Sequence, residues 1–205
     1  MLICRFEEAR DGFIAEFARR YLTGKKILEL GCGNGDRTKL FYEVCDVVGI
    51  DIVDKLSKER KRNFDFLLAD ATKLPFRDNS FDAVVSFDVI EHIPDDQKFV
   101  AEAFRVCKKK GYLVLGTPNR LRLSNRVRSL LGKKITYPYC LGPNTVHVRE
   151  YTQEELLRLL KTIGFVGECM AVYIGLVDKI NRGLRVFPRS IAPLAQYLLF
   201  IGYKP

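Results

Sequence analysis

Ile27-Leu28-Glu29-Leu30-Gly31-Cys32-Gly33-Asn34-Gly35 runs a short apolar stretch straight into a loop with glycine at every second position. Lys26–Leu30 reads as a buried strand. Glycine has no Cβ and tolerates positive φ, so the loop lets backbone come close to a ligand. Asp36–Val44 has helical period, and a helix starting beyond Gly35 would turn unpaired N–H groups and a favourable dipole towards an anion. Taken alone, the loop leaves open a tight turn with no ligand.

Spacing separates the candidate ligands. A dinucleotide site needs Gly-x-Gly-x-x-Gly, whose third glycine packs helix on strand beside a pyrophosphate. Here the last glycine comes one place early, and Asp36 stands where that third glycine belongs. Glu29, two residues before Gly31, puts a carboxylate near the pocket floor, which suits a cationic amino group better than a pyrophosphate. A zwitterionic nucleoside is expected.

Outward from this loop, Val47–Asp51, Phe66–Asp70, Ala83–Phe87 and Tyr112–Gly116 are further buried-strand runs rich in Val, Ile, Leu and Phe. Helical-period segments between them, such as Gln97–Cys107, predict a doubly wound α/β fold with a parallel sheet. Asp51 ends its strand 20 residues past Gly31, the distance at which a carboxylate meets ribose hydroxyls. Asp70-Ala71 ends the next, where an aspartate can accept from an exocyclic amine and backbone N–H groups can read a ring edge. Phe6–Leu22 reads as an amphipathic helix ended by Gly24, and Thr152–Thr162 as a late helix opened by a Thr152/Glu155 capping box. An apolar run Phe165–Ile174, a mixed stretch to Pro193 and a last apolar run Tyr197–Tyr203 follow.

These segments resemble successive motifs of class I S-adenosylmethionine (SAM) dependent methyltransferases, notably the type 11 and quinone-biosynthesis branch: ILELGCGNG at 27–35, GID at 49–51, LLADATKLPF at 67–76, SFDAVVSFDVIEHI at 80–93 and KKGYLVLGTPN at 109–119. HVREYTQEELLRLLKTIGF at 147–165 and QYLLFIGYKP at 196–205 continue the likeness more weakly. The resemblance implies a Rossmann-like, seven-stranded sheet, mostly parallel with an antiparallel last strand and flanked by helices. It implies SAM as cofactor and S-adenosylhomocysteine as product. It also implies cofactor contacts from Glu29, Gly31, Cys32, Gly33, Asn34, Gly35, Asp51, Ile52, Asp70, Ala71, Phe87 and Asp88. The expected layout is one domain: helix 1–24, SAM-binding core 25–118, basic insert 119–150 over the acceptor site, and closing helix and strands 151–205.

Methyl transfer from a sulfonium is an in-line displacement that depends on alignment. A hydroxyl acceptor also needs a base, and the chain has two histidines, His92 after the fourth strand and His147 in the insert. Both are catalytic candidates, and each has a plain structural alternative as a loop-orienting residue. Asp88, Glu91, His92 and His147 also resemble the mixed oxygen and nitrogen metal set of some metal-dependent RNA 2′-O-methyltransferases, with Asp in place of the first Glu; no metal ligand is assigned.

Composition bounds the partners. With 205 residues, 47% hydrophobic and 29% charged, the chain can build one core, and a folded domain is expected. Six cysteines without a Cys-x-x-Cys pair argue for reduced thiols. Met1–Arg10 has no signal-peptide run, and Met170–Val177 and Tyr197–Ile201 fall short of the ~20 apolar residues that span a membrane, so a cytoplasmic location is expected. The charge of +9 concentrates in Asn119–Arg149, where Arg120, Arg122, Arg126, Arg128, Lys133, Lys134 and Arg149 meet no Asp or Glu. Such a lid can hold an anionic acceptor, and Leu123, Val127, Leu130 and Leu131 among the arginines allow peripheral membrane contact. A small-molecule or lipid-linked acceptor is expected. RNA or tRNA methylation and a non-catalytic SAM-binding role are the alternatives; no appended RNA-binding module is visible.

Overall fold

The computed structural model of the protein describes residues 2–132, 136–142, 145–172 and 195–205. Lys133 and Lys134 of the basic segment, and the stretch between Val172 and Ala195, lie outside the described residues.

Helix α1 (Leu2–Phe17) continues as a π-helical turn to Leu22, and Gly24, at φ +72°, turns the chain into β1 (Lys26–Leu30). Then come β2 (Asp46–Asp51), β3 (Asp65–Leu68), β4 (Phe81–Phe87), α2 (Asp96–Val106), β5 (Cys107–Pro118) and α3 (Leu123–Leu130). A small hairpin of β6 (Tyr139–Gly142) and β7 (Thr145–His147) precedes α4 (Gln153–Ile163), β8 (Val166–Val172) and β9 (Tyr197–Tyr203). The seven long strands form one sheet in the order β3-β2-β1-β4-β5-β9-β8. Strands β1 to β5 pair in parallel, and β9 runs antiparallel to both β5 and β8. The expected doubly wound sheet with its antiparallel last strand is the observed one.

Alternation along the strands feeds two cores, one on each face. Leu28, Leu30, Val84, Leu113, Leu115, Leu198 and Phe200 pack under α2 and α4, while Ile27, Ala83, Val85, Val114 and Leu199 pack under α1. Helix α4 opens with the expected capping box, both the Thr152 and Glu155 side chains bonding backbone, and buries Leu156 and Leu160 one turn apart. Each such leucine contributes about 1.5–3 kcal/mol on burial. Cys32, Cys107 and Cys169 are buried free thiols.

One expectation fails. Asp36–Val44 forms turns and a single 3-10 turn at Thr38–Leu40 rather than an α-helix. Thr38 and Phe41, three residues apart, are both drawn into the interior at 0% and 1% exposure, and three residues per turn is the 3-10 period.

Candidate active site

The strand order places a switch point between β1 and β4, where α/β sheets open a crevice at the strands' carboxyl ends. Register makes the crevice: Leu30 pairs with Ile50 on one side and Ser86 on the other, so Gly31, Asp51 and Phe87, each one residue further, reach the same edge. A cavity of about 850 Å³ lies there. Glu29, Gly31, Cys32, Gly33, Asn34, Asp51, Ile52, Ala71, Phe87, Asp88 and His92, all candidates from the sequence, line it.

Gly31 sits at φ +74°, and a Cβ there would lie 2.3 Å from a Val89 methyl carbon. Gly33, at φ +56°, faces open space, so its bare backbone leaves the cavity clear. The loop spends its own donors internally. Gly31 and Cys32 both donate to the Ile50 carbonyl, at 2.8 and 2.9 Å, Gly33 donates to Asp51 Oδ2 at 2.9 Å, and Gly35 donates to the Cys32 carbonyl at 2.9 Å. The expected row of free N–H groups at a helix start is therefore absent here, and positive charge comes from side chains instead. Arg10, Arg37 and Lys39 line the cavity.

Glu29 is 3% exposed, and one of its oxygens, Oε2, has no hydrogen-bond partner. Burial pushes its carboxyl up to about 7. Asp51 also takes Val53 N–H at 3.0 Å on its other oxygen, which fixes the carboxylate at the rim of β2. Asp88, at φ +57°, is held by Arg37 at 2.6 Å and Arg10 at 3.5 Å. Cys32 is no nucleophile, since burial pushes its thiol up to about 12.

On the opposite wall of the cavity, the 3-10 turn Ile90–His92 meets β7. His92 Nδ1 lies 2.7 Å from the Val146 carbonyl, and His147 Nδ1 lies 2.9 Å from Glu150 Oε1. Both acceptors require Nδ1–H, which leaves the lone pair of each ring on Nε2. The rings stand edge to face with centroids 4.9 Å apart. Glu91, fully buried, accepts from the Thr117 hydroxyl at 2.9 Å on Oε2, while Oε1 has no partner. Burial pushes its carboxyl up to about 8. Glu150 moves the other way: burial opposes ionisation, but hydrogen bonds from His147, Arg122 and Tyr137 hold it down at about 2.

Comparison with known proteins now decides the family. Residues 28–115 match the family model described as a methyltransferase domain. A Mycolicibacterium smegmatis protein named "Probable S-adenosylmethionine-dependent methyltransferase" is 34% identical over 157 residues, 74% of this chain and 56% of the relative. Residues 28–115 form a domain of the class I SAM-dependent methyltransferase family. A demethylmenaquinone methyltransferase of Thermotoga maritima is 28% identical over 160 residues, 69% of this chain and 70% of the relative. The crystal structure of Burkholderia thailandensis 1,6-didemethyltoxoflavin-N1-methyltransferase, with 1,6-didemethyltoxoflavin and S-adenosylhomocysteine bound, shares the fold at TM-score 0.65 and 19% identity, covering 97% of this chain and 80% of that one. The chain spans little more than half the length of the curated relatives it matches first.

The structure separates some residues the sequence groups together. Gly35 and Asp70 do not line the cavity; Asp70 Oδ1 takes both the backbone N–H and the hydroxyl of Thr72, each at 2.8 Å. His147 is 4% exposed and reaches the site through its neighbour His92 rather than by facing the cavity. Arginines of the insert mostly bind protein carboxylates: Arg120 pairs with Glu155, Arg122 with Glu150 and Arg149 with Asp96. Sequence reasoning missed Arg10, Arg37, Thr117 and Glu150. A basic residue two places past Gly35 and an acid three places past His147 were visible signals; Arg10 had none, because α1 reaches the cavity only through tertiary packing.

Proposed function

We propose that this protein moves the methyl group of SAM to an oxygen, nitrogen or carbon atom of a small-molecule or lipid-linked acceptor. The observation that carries the reading is the buried, unpartnered Glu29 oxygen on the floor of a glycine-lined cavity at the sheet's switch point. Its chemistry suits the ammonium of a methionine moiety. Arg37 and Arg10 are then the groups for that moiety's carboxylate, Asp51 for the ribose hydroxyls, and Ile52 and Ala71 for the adenine edge. The volume lies in the upper part of the ~300–1,000 Å³ range of ligand pockets, which leaves room for cofactor and a small acceptor together.

SAM supplies an electrophilic methyl on a sulfonium. The chain's task is to align the acceptor's lone pair with the bond that breaks, and alignment of this kind is worth roughly 7–11 kcal/mol. Gly31 and Phe87 line one side of the cleft, and His92, backed by His147, lies on the other, where the acceptor would sit. Support for a lipid-linked acceptor comes from α3, where Leu130 and Leu131 are 87% and 71% exposed next to Arg126 and Arg128.

Calorimetry with SAM and S-adenosylhomocysteine, followed by methyl-labelled SAM turnover against separated lipid, small-metabolite, protein and RNA fractions, tests the reading. Uptake of both ligands, with label entering the lipid or metabolite fraction, is expected. No uptake would overturn the cofactor assignment, and label entering RNA alone would overturn the acceptor class.

A further inference from the structure

We propose that Glu91, His92 and His147 form a site for one divalent transition-metal cation of the zinc type at the acceptor end of the cleft, and that the acceptor atom is oxygen. The acceptor half of this inference rests on the methyltransferase reading; the cation half does not.

Two observations converge. One donor atom from each of the three side chains lies within 4.8 Å of the others. Zinc-ligand bonds of about 2.0–2.2 Å put donors roughly 3–4 Å apart, so side-chain shifts of about 1–2 Å close the set. The fully buried Glu91 leaves Oε1 without any partner, although its other oxygen is satisfied. An unsatisfied, fully buried carboxylate oxygen on a residue clustered with two histidines has no apolar explanation.

Each prospective ligand is also oriented from behind. The Val146 carbonyl holds His92, the Glu150 carboxylate holds His147, and the Thr117 hydroxyl holds Glu91. Such partners fix the tautomer and aim of metal ligands. Glu150 is itself fixed by Arg122, Asn125 and Tyr137, so the His147 ring cannot swing freely. Asp88 is excluded as a fourth ligand because Arg37 and Arg10 hold it. Two imidazoles with one carboxylate favour zinc-type cations over magnesium, and three protein ligands leave a position open.

That position faces the cavity through His92, and the group it suits is a hydroxyl or phenol oxygen. There the cation polarises the acceptor O–H, whose proton leaves to solvent. The oxygen pair then bonds to the methyl carbon while the carbon–sulfur pair stays on sulfur, giving the methyl ether and the thioether product.

The test uses the full chain stripped with a chelator, titrated with zinc by calorimetry and with cobalt by visible absorption, with SAM calorimetry on every sample. One equivalent of zinc, cobalt bands in the visible, at least a hundredfold weaker binding in His92→Gln and His147→Ala, and a ten- to hundredfold loss in Glu150→Gln are expected. Retained SAM binding in these variants shows that they are folded. Absence of stoichiometric cation binding in the wild type overturns the site while SAM uptake leaves the methyltransferase reading standing. Equal cation binding by wild type and both histidine variants overturns it as well, because the metal then sits elsewhere.

Discussion

The two walls of the cleft are built in opposite ways. The wall proposed for the cofactor comes from the tips of neighbouring strands, each preceded by its own apolar run, and its residues meet because sheet register brings Gly31, Asp51 and Phe87 level. The wall proposed for the acceptor is assembled from segments more than fifty residues apart, with β7 laid on the turn after β4 and fastened by His92 to Val146 and by Val148 N–H to the Glu91 carbonyl. The first wall is rigid by backbone pairing, and the second depends on a few buried polar contacts. Damage to one should therefore leave the other measurable.

Glu150→Ala is expected to have the largest effect, because it strips partners from Arg122, Tyr137, Asn125 and His147 at once. A loss of about 3 kcal/mol in denaturant unfolding is expected from breaking a buried pair on one side. Turnover should fall, while SAM affinity of the folded fraction stays within about twofold of wild type. A matching collapse of SAM affinity would show that the walls are one unit.

Gly31→Ala attacks the other wall. The added Cβ meets Val89 at 2.3 Å and the φ of +74° disfavours any side chain, so about 1–3 kcal/mol of stability and most SAM affinity should be lost together. Thermal melts with and without SAM would read both. A variant that binds SAM normally would mean the loop is a turn and nothing more.

The pH dependence of cofactor binding isolates Glu29. Its carboxyl is raised from 4.5 to about 7, so the folded, ligand-free protein holds a proton that the unfolded chain releases, and stability contributed by this group falls as pH rises from about 4.5 to about 7. Binding of an ammonium needs the ionised form, so SAM affinity should climb by up to about tenfold per pH unit below pH 7 and then level off. Calorimetry of Glu29→Gln should give a weaker and flat profile; a slope surviving in that variant would assign the titration to another group.

The smallest effect belongs to α3. Replacing Leu130 and Leu131 with serine should change stability by no more than about 0.5 kcal/mol, because both are exposed. It should reduce co-sedimentation with anionic vesicles. Unchanged sedimentation would remove the membrane-facing support for a lipid-linked acceptor.

Much of the fold is legible in the sequence. Each strand of the parallel half announces itself by its own run of Val, Ile, Leu and Phe, and the capping box at Thr152 marked the start of α4 to the residue. The misread helix at Asp36–Val44 shows where local pattern gives out: Thr38 and Phe41 lie close enough in sequence for either helix type, and only their shared burial selects the tighter one. At the site, Asp70 lies two residues beyond the end of β3 rather than on the strand, and its Oδ1 takes the N–H and hydroxyl of Thr72.

By itself, then, the sequence determined the glycine-loop wall of the cleft, because a strand, its glycine loop and the acid at its tip are set by contacts between near neighbours and by a sheet order that parallel crossovers restrict. Only the tertiary structure decided the acceptor wall. Glu91, His92 and His147 acquire their shared geometry from packing across more than fifty residues, and Arg37 and Arg10 take up Asp88 only once α1 has closed over the sheet. Hydrophobic periodicity encodes which face of an element is buried, but it carries no record of which distant polar side chain will be waiting there.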